Sequence, residues 1–110
     1  MIKGIGIDII EIERIEKLLS SKENFLSRNF TEAELEFNSK PQSTAGNFAA
    51  KEAFAKALGT GFRGFGLRDI EVLRNDLGAP YILFRGGKIN AHISISHNRT
   101  TAVAVVILME

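Results

Sequence analysis

Between Ala45 and Gly61 the chain leaves little choice of conformation. Ala45, Phe48, Ala49, Ala53, Ala57 and Leu58 recur at helical spacing, and an Ala-rich composition favours the helix intrinsically. Gly59 stands where a left-handed C-terminal cap is wanted, and Thr60-Gly61 continues the turn. This helix is the one element around which the rest must be arranged. The C-terminal half has a different character. After a glycine-containing loop over Phe62–Arg68, short alternating runs are expected as strands at Asp69–Arg74, Tyr81–Phe84, His92–His97 and Thr101–Met109. The punctuation between them is Asn75-Asp76-Leu77-Gly78, Arg85-Gly86-Gly87-Lys88 and Asn98-Arg99-Thr100, all too short for crossovers. Strands joined by such turns pair antiparallel, so the expected class is α+β, a small antiparallel sheet packed with helices.

Upstream, Ile2–Asp8 alternates Gly4 and Gly6 with Ile5 and Ile7 and predicts a short strand; glycines inside it suggest a close approach by another backbone or a ligand. From Ile9 the spacing of Ile9, Ile12, Ile15, Leu18 and Leu19 predicts an amphipathic helix, which would put Asp8 at a strand–helix junction. Asn24–Asn29 is expected as a helical turn, Thr31-Glu32-Ala33-Glu34 as a capping box opening another short helix, and Lys40–Thr44 as a loop. With 110 residues and no repeat or linker, one domain over 1–110 is expected. The final strand is apolar on both faces, with Val103, Val105 and Ile107 on one and Ala104, Val106 and Leu108 on the other. In so small a chain it is either a central strand or one whose second face meets another subunit.

Some function classes fall away on composition. With no Cys and only two His a zinc site is not expected; a net charge of +1 neither points to nucleic acid nor excludes it, since a local basic patch would be needed, and no nucleic-acid partner is expected. The apolar run Ala102–Met109 is far short of the ~20 residues that span a bilayer. The apolar run at the N-terminus breaks at Asp8 without a signal-peptide pattern, so a cytoplasmic location is expected.

Three groups of residues could carry chemistry. Asp8 ends an apolar strand; it is read as a helix N-cap or as a cation ligand. Lys51, Glu52 and Lys56 share the central helix. Glu52 and Lys56, spaced i,i+4, make either an ordinary helix ion pair or a pairing of Glu52 with Asp8 across the fold. Two carboxylates with open positions suit Mg²⁺ carrying substrate phosphates, with Lys56 and the backbone of Gly59, Thr60 and Gly61 close to the same phosphates. Ser94, Ser96 and His97 form the third group, as polar ligand contacts or plain surface residues. Arg14, Lys17, Lys22 and Arg28 offer a basic strip diluted by Glu11, Glu13 and Glu16.

Taken together, Gly4-Ile5-Gly6-Ile7-Asp8-Ile9, Phe48-Ala49-Ala50-Lys51-Glu52-Ala53-Phe54 with Lys56-Ala57-Leu58-Gly59-Thr60-Gly61, and Ser94-Ile95-Ser96-His97 resemble the holo-acyl-carrier-protein synthase family of phosphopantetheinyl transferases. Asp69–Val72 and Gly78–Ile82 fill the interval as they do in that family. The resemblance implies an enzyme that moves 4′-phosphopantetheine from coenzyme A to a serine of an acidic apo-acyl-carrier protein in fatty acid biosynthesis, releasing adenosine 3′,5′-bisphosphate. It implies Asp8 and Glu52 as magnesium acids, Lys56 with Gly59, Thr60 and Gly61 at coenzyme A, and Ser96 and His97 approaching coenzyme A from a neighbouring subunit of a homotrimer. Arg14, with Lys17 and Arg28, would dock the carrier. The resemblance leaves the proton acceptor open between Glu52 and a metal-bound water. Three positions depart from the family pattern: Asn47 where many relatives carry Arg, Asn24 where a basic residue is frequent, and Ala79 in place of a frequent Lys.

Two other readings compete. An actin-like or nuclease-type fold also places an acid on Mg²⁺ after a Gly-Ile-Asp strand, but normally continues into a β-hairpin. A trimeric interaction module without chemistry would gain nothing from clustered like charges.

Overall fold

Residues 1–110 are described by a computed structural model. The chain runs β1 (Ile2–Glu11), α1 (Ile12–Ser20), α2 (Phe25–Asn29), α3 (Glu32–Leu35), α4 (Pro41–Leu58), a 3₁₀ turn (Leu67–Asp69), β2 (Ile70–Arg74), β3 (Pro80–Phe84), β4 (Gly87–Lys88), β5 (Ala91–His97) and β6 (Thr101–Met109). The α+β class is as expected, but the strands divide into two antiparallel sheets, ordered β1-β6-β5 and β2-β3-β4. No helix is long and apolar enough to cross a membrane.

The central helix α4 lies on one face of the first sheet, and glycine decides how closely. A Cβ at Gly4 would sit 2.0 Å from the carbonyl oxygen of Ala57, and one at Gly6 would sit 1.8 Å from that of Ala53. Strand β1 therefore rests directly on the backbone of α4, the close approach that its glycines suggested. The alanines of α4 make the other half of the fit. Ala49, Ala53 and Ala57 are buried, and Ala102, Ala104, Val106 and Leu108 of β6 pack on the same side of the sheet. Helix α4 is buried nearly all round, because helices and the second sheet enclose its remaining faces. Phe25, Phe30 and Phe48 fill one flank; Phe54, Phe65 and Phe84 fill another.

The end of β1 and the start of α4 differ most from expectation, each for an identifiable reason. Strand β1 continues to Glu11, because its antiparallel pairing persists through Asp8↔Ala104, Ile9↔Val103, Ile10↔Ala102 and Glu11↔Thr101. The consecutive β-branched Ile9 and Ile10 suit a strand, with Ile10 turned to the core and Ile9 to the open face. Most of the expected loop Lys40–Thr44 is instead the first turn of α4. Pro41 takes the first helical position, where its missing N–H costs nothing. Elsewhere Gly59 is left-handed (φ 81°), as its cap role requires.

A buried ion pair ties the short helices to α4. Lys51 and Glu34 are both fully buried and meet at 2.6 Å. Lys51 Nζ also donates to the carbonyls of Asn29 and Leu67, while Glu34 accepts from the N–H groups of Thr31 and Val72. Burial pushes the Lys51 ammonium below its ordinary pKa, against the pull of Glu34. With every buried side-chain polar atom partnered, the pair holds α2, α3, β2 and α4 in one arrangement. Removing one partner of such a pair typically costs about 3–5 kcal/mol. The expected capping box is half present. Glu34 accepts from the Thr31 N–H, and the Thr31 hydroxyl donates to Glu71 at 2.6 Å.

The other face of the first sheet is left open. Ile5, Ile7 and Ile9 of β1 are 61%, 56% and 69% exposed, beside Val103, Val105 and Ile107 of β6.

Candidate functional site

Because β1 lies against α4 at Gly4 and Gly6, the next residue on that face, Asp8, is delivered to the flank of the helix. There Lys56 Nζ meets Asp8 Oδ1 at 3.1 Å and the carbonyl of Ile7 at 2.9 Å. The Asp8 side chain is 19% exposed and that of Lys56 is 55% exposed, so the pair sits at the mouth of the fold rather than within it. Asp8 does not cap a helix. The strand runs three residues beyond it, and the residue preceding α1 is Glu11.

Glu52 stands beside this pair. The expected alternative, an i,i+4 ion pair with Lys56, is not formed: Lys56 reaches across to β1 instead. Glu52 is only partly exposed and receives no hydrogen bond. Burial first, and the neighbouring Asp8 carboxylate second, push its pKa up; Lys56 and Arg14 oppose the shift. The structure thus brings Asp8, Glu52 and Lys56 together from two elements, with Arg14 of α1 close enough for its charge to be felt. The donors available to a cation are the two carboxylates, since no cluster of three or more His, Cys, Asp or Glu exists. That set suits a hard cation completing its shell with water and phosphate oxygens, and does not suit zinc.

The Gly59-Thr60-Gly61 stretch follows Lys56 within a turn and is exposed, with both glycines at positive φ (81° and 63°). A side chain at either would meet nothing within 4 Å, so the backbone there is open to approach. Arg14, Lys17 and Arg28 are exposed; Lys17 is engaged with Glu13 at 3.5 Å. Among these three only Arg14 bears on Glu52.

Ser96 and His97 are not brought to this cluster. They lie on β5, the opposite edge of the sheet from β1, with β6 between. His97 pairs with Ala102 and lines a separate polar cleft of about 570 Å³ with Gly46, Arg74, Gly78 and Pro80. Ser96 pairs with Val103 and is exposed. Within one chain the expected site is therefore two half-sites on opposite edges.

The partner of Asn47 leaves no mark in the sequence pattern. This fully buried amide donates to the carbonyl of Phe37 and to Asn38 Oδ1, and its own oxygen accepts from Arg74 at 2.6 Å. Asn47 stood out as a departure from the family pattern, but nothing in the spacing points to a residue 27 positions away.

Comparison with known proteins bears on the whole chain. Residues 4–107 match the 4′-phosphopantetheinyl transferase superfamily. The chain is 52% identical to the holo-[acyl-carrier-protein] synthase of Clostridium botulinum (strain Alaska E43 / Type E3), covering 98% of each protein. It is 50% identical to that of Oceanobacillus iheyensis, covering 98% of this chain and 97% of the relative. Among solved structures it is similar to a holo-(acyl-carrier-protein) synthase from Bacillus anthracis in complex with CoA (3′,5′-ADP). There the TM-score is 0.85 at 44% identity, over 98% of this chain and 96% of the other. It is also similar to the Helicobacter pylori holo-[acyl-carrier-protein] synthase in complex with coenzyme A, with a TM-score of 0.85 at 35% identity, over 96% and 99% of the two chains.

Proposed function

The chain belongs to the 4′-phosphopantetheinyl transferase superfamily, and from that premise we propose that it is a magnesium-dependent holo-acyl-carrier-protein synthase serving fatty acid biosynthesis in the cytoplasm. The whole of 1–110 is read as one transferase domain. The enzyme transfers 4′-phosphopantetheine from coenzyme A to a serine of apo-acyl-carrier protein and releases adenosine 3′,5′-bisphosphate. The observation that carries this reading is the meeting of Asp8 and Glu52 beside Lys56, next to the contacts through which Gly4 and Gly6 rest β1 on the backbone of α4.

Asp8 and Glu52 would hold magnesium. Bound there, the ion would offset charge on the pyrophosphate and make its phosphorus more electrophilic. Two partly shielded carboxylates, one without any donor of its own, are electrostatically unsatisfied as they stand and suit a divalent cation. Lys56, half exposed and anchored on the Ile7 carbonyl, would stabilise negative charge on the departing bisphosphate. The exposed backbone of Gly59, Thr60 and Gly61 is read as lining the same site, with no side chain at the glycines to hold the nucleotide off. Glu52 is also the carboxylate that could accept the proton of the attacking serine hydroxyl. Arg14, Lys17 and Arg28 would meet the acidic carrier, Arg14 nearest the carboxylates.

A homotrimer with sites between subunits is part of the proposal, and two features support it. His97 and Asp8 stand on opposite edges of the sheet, so an arrangement in which one subunit's β5 edge meets another's β1 edge would unite the half-sites. The open face bearing Ile5, Ile7 and Ile9 gives such an assembly its driving force. Full burial of a wholly exposed side chain of this size is worth about 1.5–3 kcal/mol, and more than half of that surface is still exposed at each of the three.

The test is chromatographic detection of adenosine 3′,5′-bisphosphate when the protein is mixed with coenzyme A, Mg²⁺ and an apo-acyl-carrier protein. Nucleotide release that needs the carrier and stops with EDTA is expected. Release that continues unchanged in EDTA would remove magnesium from the account, and no release would remove the reaction.

A further inference from the structure

Arg74 is a guanidinium without a counter-ion. It emerges at the end of β2, half-buried, in the cleft that His97 also lines, and takes part in no ion pair; Glu36, the acid on the same cleft, makes none with it. Its firm contacts are with neutral groups: the amide oxygen of Asn47 at 2.6 Å and the ring of Phe37, 5.9 Å from centroid to guanidinium. The direction of the Asn47 amide is settled by its other end. Its Nδ2 is committed to the Phe37 carbonyl and to Asn38 Oδ1, which leaves the oxygen for Arg74. An aspartate there would hold the arginine and cancel its charge; an asparagine holds it and leaves the charge free. Burial also pushes the Arg74 pKa below its ordinary value, which reflects how little water compensates the cation. A desolvated, pre-oriented fork of N–H donors beside an open polar cleft fits a phosphate.

We propose that Arg74, oriented by Asn47, binds the 3′-phosphate of coenzyme A. The proposal rests on the holo-synthase reading for the identity of the nucleotide. Coenzyme A carries phosphate at two places, the pyrophosphate and the ribose 3′ position. The pyrophosphate is the reacting group and belongs with Asp8, Glu52 and Lys56, while Arg74 lies in the other half-site, with His97. The 3′-phosphate is what remains for it. Hydroxyl and amide groups of Ser39, Gln42 and Ser43 line the same cleft, and its volume is in the range of small-molecule sites. The departure at position 47 then has a counterpart within this chain: the basic group comes from β2 and the residue of α4 positions it.

The test is isothermal titration of adenosine 3′,5′-bisphosphate and of adenosine 5′-monophosphate into the full-length protein, with circular dichroism as a check of folding. The wild-type protein is expected to bind the bisphosphate about tenfold or more tightly than the monophosphate, as one charge-assisted contact allows. Arg74→Gln should erase that preference with little change for the monophosphate. Should Arg74→Gln fold poorly, Arg74→Lys, which keeps the charge but loses the fork, is read in the same way and should reduce the preference. A preference that is undiminished in either folded variant, or is missing in the wild type, overturns the proposal. A wild-type protein that shows an Arg74-dependent preference yet modifies no carrier protein would count against the enzymatic reading and leave the role of Arg74 standing.

Discussion

At Glu52 the needs of the fold and of the chemistry pull in opposite directions. Burial and the Asp8 carboxylate both disfavour its charge, so its folded pKa lies above the ordinary 4.5. In that case the folded state binds the proton more tightly than the unfolded state, and stability falls as pH rises through the folded value. Glutamine, which mimics the protonated acid, should remove this penalty. In EDTA, Glu52→Gln is therefore expected to melt above the wild type near neutral pH, and the gain should vanish below about pH 4.5, where both states of the wild type are protonated. The same variant should transfer no phosphopantetheine. A scan of melting temperature against pH, beside a transfer assay, checks both halves; an active Glu52→Gln enzyme would end the metal role. Spacing alone left Asp8 open between a helix cap and a cation ligand, and Glu52 open between Lys56 and Asp8; only the family resemblance joined the two acids. The partner of Lys56 was not legible. Spacing favoured Glu52 as its neighbour, and only the packing of β1 on α4 makes Asp8 the nearer oxygen. Arg74 and Asn47, and Lys51 and Glu34, were illegible as pairs for the same reason: their contacts span 27 and 17 positions and leave no periodic trace.

Among the elements, β1 and α4 carry the site, and the space between their backbones sets its geometry. Gly6→Ala would drive a Cβ to 1.8 Å from the Ala53 carbonyl, a contact that no rotamer can relieve because both partners are backbone or fixed to it. The strand must move, at a cost of about 1–3 kcal/mol or more, and Asp8 moves with it. A lowered urea midpoint and a slower transfer rate are expected together. Unchanged stability would mean that β1 does not rest on α4 as described. The two elements differed in how well their limits could be foreseen. Helix α4 announced its end through Gly59, yet Pro41 looked like a loop residue although it equally well begins a helix. Ile9 and Ile10 fitted either period, and pairing with β6 decided for the strand. In the turns of the second sheet Gly78 and Gly86 adopt positive φ, 84° and 83°, as their sequence contexts require. Gly87–Lys88, expected as the end of a turn, is instead the short strand β4, paired with β3.

For the whole molecule the open face of β1 and β6 is the feature a solitary chain does not explain. The sequence pointed to it through the doubly apolar β6, although the most exposed side chains, Ile5, Ile7 and Ile9, belong to β1. If that face is buried between copies, Ile5→Asp, opposite Ile107 and away from Asp8, should convert the assembly to monomers. The separated half-sites then predict loss of transfer activity in a chain that still folds. Sedimentation velocity with circular dichroism would show it; a fully active monomer would contradict the shared site. The central claim is the reaction itself, and intact-mass spectrometry of the carrier tests it most directly. Apo-acyl-carrier protein incubated with this protein, coenzyme A and Mg²⁺ should gain the mass of one phosphopantetheine group, and should gain nothing with EDTA or with Glu52→Gln. A carrier that stays unmodified here, while an established synthase modifies the same preparation, would contradict the account.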